Sequence, residues 1–358
     1  MKPILFSTMA AATLSLAACA DGPIDAGSQT QRAAIGATES AALDTPAASE
    51  FQKVRGAFKG ASASSLKYAV YDLGAPTASA SVKARAAVLG FSNASKAKAG
   101  PNARYPMAVV EEGTSRLSIN DTSGTEFFVN TDRFHKDKEV PESTLLADSD
   151  YIARARQHVA AKLPADVAGA ALYPYKVRKY YNAASNGNGI QSYGVYQVAV
   201  ALNQSIGNVP VIGPGGKTVV HMATDGAVLA HENMVRVPSR KVADVAGTDL
   251  IAPDDAQSAI EATLTGRGVD LSKFTLSRSE FGYFRYGRNS VQQLLAPHYA
   301  FFYSPKPGVS SKILVEFTPA VKAGALRTQI DADRQAEDAR KQTIIADGHQ
   351  EPATRARR

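Results

Sequence analysis

The sequence predicts an α+β fold of two tandem lobes, each a helix packed on an antiparallel sheet. Three observations lead there. Runs of β-branched and aromatic residues recur, and in the clearest Tyr196, Val198, Val200 and Leu202 alternate with Gln197, Ala199 and Ala201. Two stretches have helical periodicity behind a favourable start, one at Asp148 and one at Pro253. The order hairpin, helix, aromatic strand then occurs twice, with Gly124 and Gly226 in matching turns and a helix following each at nearly equal distance.

The first lobe spans residues 51–165. Within it 82–89 reads as a short helix stopped by Gly90. Residues 116–120 and 126–130 read as strands around the turn Asp121-Thr122-Ser123-Gly124. Asp148 can cap a helix that puts Ile152, Ala155, Val159 and Leu163 on one face and ends at Pro164. The second lobe, 166–322, opens with a Tyr-rich strand at 172–181, ahead of Asn186-Gly187-Asn188-Gly189. The strand at 196–202 is expected to be covered on both faces. Residues 218–222 and 227–231 make a hairpin around Asp225-Gly226. Pro253 suits the first turn of a helix, with Asp254 and Asp255 near its positive end. Ala256, Ala259, Ile260, Thr263 and Leu264 mark the buried face of that helix. Strands are expected at 274–286, 297–303 and 312–317. The tail, 323–358, is charged and mixed in sign, and part of 330–345 reads as a surface helix.

At the N-terminus Lys2 precedes a small or apolar stretch, 4–16, too short to span a membrane comfortably. It ends in Leu16-Ala17-Ala18-Cys19, whose small side chains fit the narrow subsites of a signal peptidase. The run resembles the lipobox of bacterial lipoproteins, in which the Cys becomes the lipidated first residue of the mature chain. The resemblance implies that 1–18 is a signal peptide and that acyl chains on Cys19 hold the protein to a membrane of the cell envelope. Two or three chains anchor stably where one binds only marginally. Ala20 in place of an Asp implies, by the lipoprotein sorting rule, the outer rather than the inner membrane. Cys19 is the only Cys in 358 residues, so no intramolecular disulfide forms, as suits an exported chain. The rest of 19–50 is Ala, Gly, Ser and Thr with isolated charges, too poor in bulky apolar groups to offset ordering entropy. Read as a tether, it spans on the order of 30 Å.

Lys and Arg number 40 against 33 Asp and Glu, net +7. The excess suits anionic lipid, glycan or an acidic protein. The charges are spread rather than clustered, so nucleic acid is not an expected partner. No later apolar run approaches the roughly 20 residues needed to cross a bilayer.

In the second lobe Gly207-Asn208-Val209-Pro210-Val211-Ile212-Gly213 leads to the hairpin with Asp225-Gly226 at its tip. The helix at Pro253-Asp254-Asp255-Ala256 and the strand at Pro297-His298-Tyr299-Ala300-Phe301 follow. This order resembles the PepSY and thermolysin-propeptide (FTP) superfamily over residues 195–304, and by pattern alone over 82–181. Two lobes of this kind also occur in the YycI-type regulatory proteins, which bind and restrain a sensor kinase. The resemblance implies a role in binding or inhibition of another envelope protein, without catalysis.

Candidate chemistry is sparse. Gly213-Pro214-Gly215-Gly216-Lys217-Thr218 suggests a phosphate loop, but Val211 stands where the first Gly is required and the loop enters a strand, so it reads as a β-turn. His221, His231 and Glu232 share a hairpin but lack the further ligands of a tetrahedral metal site, and both histidines read as exposed strand residues. No Gly-x-Ser-x-Gly elbow and no His-Glu-x-x-His helix is present, and neither metal nor cofactor is expected. Two basic aromatic regions stand out. One holds Tyr173, Tyr175, Tyr180, Tyr181 and Tyr193 with Lys176, Arg178 and Lys179; the other holds Tyr283, Phe284, Arg285, Tyr286 and Arg288. Tyr and Arg are favoured at binding hot spots, so Tyr180, Tyr181, Tyr283 and Arg285 are the expected partner-binding residues. The alternatives are a structural or glycan-binding envelope lipoprotein and, behind it, a hydrolase with residues scattered in sequence.

Overall fold

A computed structural model describes residues 45–74, 81–92, 98–99, 107–134, 139–185 and 190–349. Cys19, the expected signal peptide before it and the expected tether as far as residue 44, with the Asn/Gly run 186–189 and residues 350–358, lie outside the described residues.

The described chain begins with α1 (Pro46–Lys59), whose Pro46 is pre-set for a first turn. Thr45 caps it, accepting a hydrogen bond from the Ala48 amide at 3.1 Å. Composition alone assigns 46–50 to the tether, yet Ala47, Glu50, Phe51 and Val54 are buried. Thr45→Ala is expected to cost about 1 kcal/mol, read as a lower urea midpoint at unchanged slope.

After α1 come β1 (Lys67–Asp72), α2 (Val82–Val88), β2 (Lys98–Ala99) and the meander β3 (Met107–Glu112), β4 (Ser115–Asn120), β5 (Glu126–Asn130). The short α3 (Thr131–Phe134) leads to α4 (Asp148–Lys162), α5 (Ala165–Ala168) and the long pair β6 (Ala171–Ser185) and β7 (Ile190–Ile206). Next are β8 (Val209–Ile212), the hairpin β9 (Lys217–Met222) and β10 (Val228–Asn233), β11 (Arg240–Ala246) and α6 (Pro253–Gly266). β12 (Phe274–Phe284), β13 (Leu294–Leu295), β14 (Pro297–Pro305), β15 (Leu314–Pro319) and α7 (Ala325–His349) follow. The helices expected at Asp148 and Pro253 are α4 and α6. The turns expected at Gly124 and Gly226 both use a left-handed glycine, with φ of 71° and 83°, a conformation that a Cβ disfavours.

A small sheet runs β11-β1-β13, and a large one runs β15-β14-β12-β8-β7-β9-β10-β5-β4-β3-β2, with β6 also on β7. In the large sheet β8 and β12 pair in parallel, through Val211 with Tyr283 and Ile212 with Phe284. Antiparallel pairing of β10 with β5 brings strands from 51–165 and 166–322 into one sheet.

This is an α+β fold with helices packed on sheets. α4 lays Tyr151, Ala155 and Val159 on Val198, Val200, Val220 and Met222. α2 covers Val110, Leu117 and Ile119 with Val82 and Ala86. α1 and α6 enclose Phe281, Tyr299 and Phe301 with Phe51, Val54, Ala256 and Ile260. The charged tail is fixed to this body through α7. Asp333 accepts from the amides of Gln293 and Leu294, Glu337 accepts from that of Val291, and Ile330 is buried. Those carboxylates supply partners for amides of an irregular segment, a need that charge pattern does not reveal. Among the described residues no helix is long and apolar enough to cross a membrane.

Candidate functional site

β6 pairs with β7 and, among the described residues, with no other strand, so its outer side is an edge of the large sheet. Pro174 fits there, because a residue without an N–H is tolerated where no ladder bond is required. Register with β7 sets Tyr173 against Asn203, Lys176 against Ala201, Arg178 against Ala199 and Tyr180 against Gln197. These four side chains therefore share the face turned away from α4. Lys176 and Arg178 are exposed and Tyr180 is half-buried, its ring 6.2 Å from that of His221 and 6.3 Å from that of Tyr196.

Val177 and Tyr181 pack on the α4 side. The Tyr181 hydroxyl donates to Glu142 Oε2 at 2.7 Å, and Lys179 Nζ donates to Glu142 Oε1 at 2.9 Å. Those bonds, Lys179 first, hold the Glu142 carboxyl below the usual carboxylate range. Val140, two residues away, exchanges backbone hydrogen bonds with Val195 of β7. The α4 side of β6 is thereby tied down.

The other two expected binding residues lie elsewhere. Tyr283 is buried, with its ring 5.6 Å from Tyr71 and its hydroxyl accepting from the Ala69 amide. Arg285 is buried as well and donates to Gln292 Oε1 at 3.1 Å. Burial, reinforced by the nearby Arg236 charge, pulls its guanidinium down to about 9. Side chains so enclosed cannot meet a partner on the surface. The reason is position: Tyr283 packs among Leu73, Val211 and Leu295, and Arg285 lies against Gly215 and Gly216, so these aromatic and basic residues serve the core.

A second constellation lies under α4. β5 turns Glu126 and Phe128 to the helix side, and β10 sets His231 opposite Phe128 and Val220 on the same side. Arg85 of α2 reaches Glu126 through Nε and Nη2, both at 2.7 Å. His231 Nε2 lies 2.9 Å from Glu126 Oε1, and His158 Nε2 of α4 lies 2.9 Å from His231 Nδ1. The Phe128 ring stacks on His231 at 5.5 Å. Burial alone would raise the Glu126 carboxyl; the Arg85 and His231 bonds outweigh it and hold the group at about 2. Burial pushes the His158 imidazole down to about 4, and the charges of His231 and Lys162 add to that. One carboxylate thus orients an imidazole toward a second imidazole, an arrangement that can store or pass a proton while joining α2, α4, β5 and β10.

The histidines of the β9–β10 hairpin are buried rather than exposed, His221 at 1% and His231 at 0%. Because neighbours alternate across a sheet, His221 and Glu232 face away from α4 while His231 faces it, and the three do not converge. Among the described residues no group of three or more His, Cys, Asp or Glu could hold a metal ion. His221 Nδ1 lies 2.9 Å from Gln197 Nε2, and burial pushes the His221 imidazole down to about 4. Burial raises the Glu232 carboxyl, opposed by Arg288, whose Nη1 is 3.5 Å away, and by Lys217. The turn at Gly213-Pro214-Gly215-Gly216 joins β8 to β9, two strands. A cleft of about 400 Å³ opens between Asp72, Thr122, Arg236 and Gln292. Its guanidinium, Arg236, already donates to the carbonyls of Gln292, Leu73 and Gly74.

The edge strand had a signal in Pro174, a proline inside a Tyr-rich run. The imidazole chain had almost none, since Arg85, Glu126, His158 and His231 are far apart in sequence.

No family model matches the chain, and no curated protein is similar to it. Among solved structures, an uncharacterized protein from Eubacterium rectale is similar at a TM-score of 0.42 and 8% identity, covering 72% of this chain and 84% of that one. So loose a likeness carries no argument about function.

Proposed function

We propose that this chain is a lipid-anchored, non-catalytic binding module of the cell envelope, which takes an extended acidic segment of another envelope protein along β6. The observation that carries the reading is β6 itself, a 15-residue strand whose one strand partner among the described residues is β7. Extended peptides add to free sheet edges because main-chain hydrogen bonds supply affinity and alternate side chains supply specificity. An open edge of that length is otherwise a liability that proteins blunt. Exposed Lys176 and Arg178 favour an acidic segment, and the rings of Tyr173 and Tyr180 add area with polar tips. The Glu142 bonds to Lys179 and Tyr181 hold part of the strand in place beforehand, which lowers the ordering cost of binding.

The lipobox resemblance around Cys19 supports the anchor, and Ala20 supports the outer membrane. The PepSY resemblance supports action by occupying or restraining the partner. The test is affinity capture from envelope extracts by the intact lipoprotein, by a soluble Cys19→Ala form and by a Lys176→Glu, Arg178→Glu double variant. The first two are expected to retain one stoichiometric protein at high salt, and the double variant to lose it at least tenfold. Capture of glycan or lipid alone, released by salt, would replace this reading with a surface-binding scaffold.

A further inference from the structure

We propose that His158 and His231 form an acid-operated latch that holds the C-terminal half of α4 to the large sheet. Glu126 is ionised and doubly bonded by Arg85, so it accepts from His231 and the proton sits on Nε2 of that ring. In the neutral pair His231 Nδ1 then offers a lone pair, and His158 Nε2 donates to it at 2.9 Å. One further proton can be accommodated, with His231 donating from Nδ1 to a His158 that carries its hydrogen on Nδ1. A second cannot. Two N–H groups would face each other at hydrogen-bond distance on two cationic rings.

Burial and the neighbouring cations oppose the doubly protonated state, and among the described residues the Glu126 carboxylate alone favours it. α2 contributes Arg85 and α4 contributes Lys162, both cationic; His221, across the sheet, is itself held down to about 4 by burial. β5 contributes Glu126, whose oxygens are already engaged by Arg85 and His231. His158 is only half-buried, so water can hydrate its imidazolium once the ring leaves His231. Release loosens the end of α4, where the Lys162 carbonyl is itself held by Arg85. Because α4 shares a hydrophobic cluster with Val177 and Tyr181, acidification would also change the underside of β6. That consequence rests on the binding reading above; the latch does not.

The test is hydrogen exchange on the full chain between pH 7.5 and pH 4, corrected for intrinsic rates, with wild type and His158→Gln compared. A glutamine amide can donate to His231 Nδ1 but takes up no proton. In wild type the amides of residues 156–162 are expected to lose protection at least tenfold as pH falls from the ordinary imidazole value of about 6.5 towards 4, while those of β12 and β14 stay protected. The variant is expected to keep its α4 protection over the same range. Protection of wild-type α4 down to pH 4, or its loss in the variant in step with wild type, would overturn the latch. Should the variant fold poorly, imidazole ¹⁵N titration of wild type decides instead. The latch requires the His158–His231 pair to gain its second proton over the same pH interval in which α4 opens, and separate intervals reject it. Partner capture at neutral pH reads the β6 proposal independently of either result.

Discussion

Glu126→Ala is expected to lower stability by about 3–5 kcal/mol, because it strands a buried cation instead of removing a contact. The side chains of Glu126 and Arg85 are 4% and 9% exposed and are joined by two bonds of 2.7 Å. Without the carboxylate the guanidinium keeps its Lys162 carbonyl but loses its counter-charge, and His231 loses its acceptor. An Arg85→Leu, Glu126→Leu double variant is expected to cost far less than the single change, since it leaves no ion unpaired. Urea unfolding of the three proteins reads this, and a double variant as unstable as the single one would refute the explanation.

The same residue sets the acid limb of stability. Its carboxyl is held near 2 against an ordinary 4.5, so the stabilisation is fully present above about 4.5 and is lost as pH falls towards 2. His158, held near 4 against an ordinary 6.5, acts over a higher window. A folded state that resists protonation loses stability as pH falls from 6.5 to 4. Wild type should therefore weaken in two stages, and Glu126→Ala should flatten the lower one.

Tyr299→Ala is expected to cost a similar amount, about 3–5 kcal/mol, through a cavity in the largest core. The ring is fully buried and meets Phe51 at 6.0 Å, Phe281 at 5.2 Å and Phe301 at 6.2 Å. These contacts join α1, β12 and β14, so the void cannot close by the shift of one element. Tyr299→Phe keeps the ring and loses the hydroxyl bond to the Ile251 carbonyl at 2.8 Å, for an expected loss of about 1 kcal/mol. Calorimetry on both separates cavity from hydrogen bond. Equal losses would mean that the hydroxyl, not the ring, matters at this position.

What sequence reveals here is what local chemistry decides. α4 and α6 are legible from an acidic or Pro start and a 3.6-residue apolar repeat, and the β9–β10 hairpin from Asp225-Gly226. The covered faces of β7 are legible from Val and Ala on alternate sides. What fails is whatever depends on a distant neighbour. β1 finds its partner β11 some 170 positions away, and neither strand stands out locally. α1 is hidden by the Ala and Ser at its start, which resemble the tether. Tyr283 and Arg285 look like a surface motif because what buries them, Leu73 and Val211 for the ring and Gly215 and Gly216 for the arginine, lies far off in the chain. Of the four expected contact residues, Tyr180 and Tyr181 lie on the edge strand. The imidazole chain is assembled by four elements, so no local pattern foretells it.

β6 is expected to receive a partner segment. A photo-crosslinking amino acid in place of Lys176, on the exposed side of β6, tests it in the intact envelope against the same probe in place of Val237, an exposed site outside β6. One acidic envelope protein is expected to crosslink at 176 and not at 237, through a segment that peptide mapping finds extended and rich in Asp or Glu. Equal adducts at both positions, or none at 176 while the protein remains in its native membrane, would contradict the account.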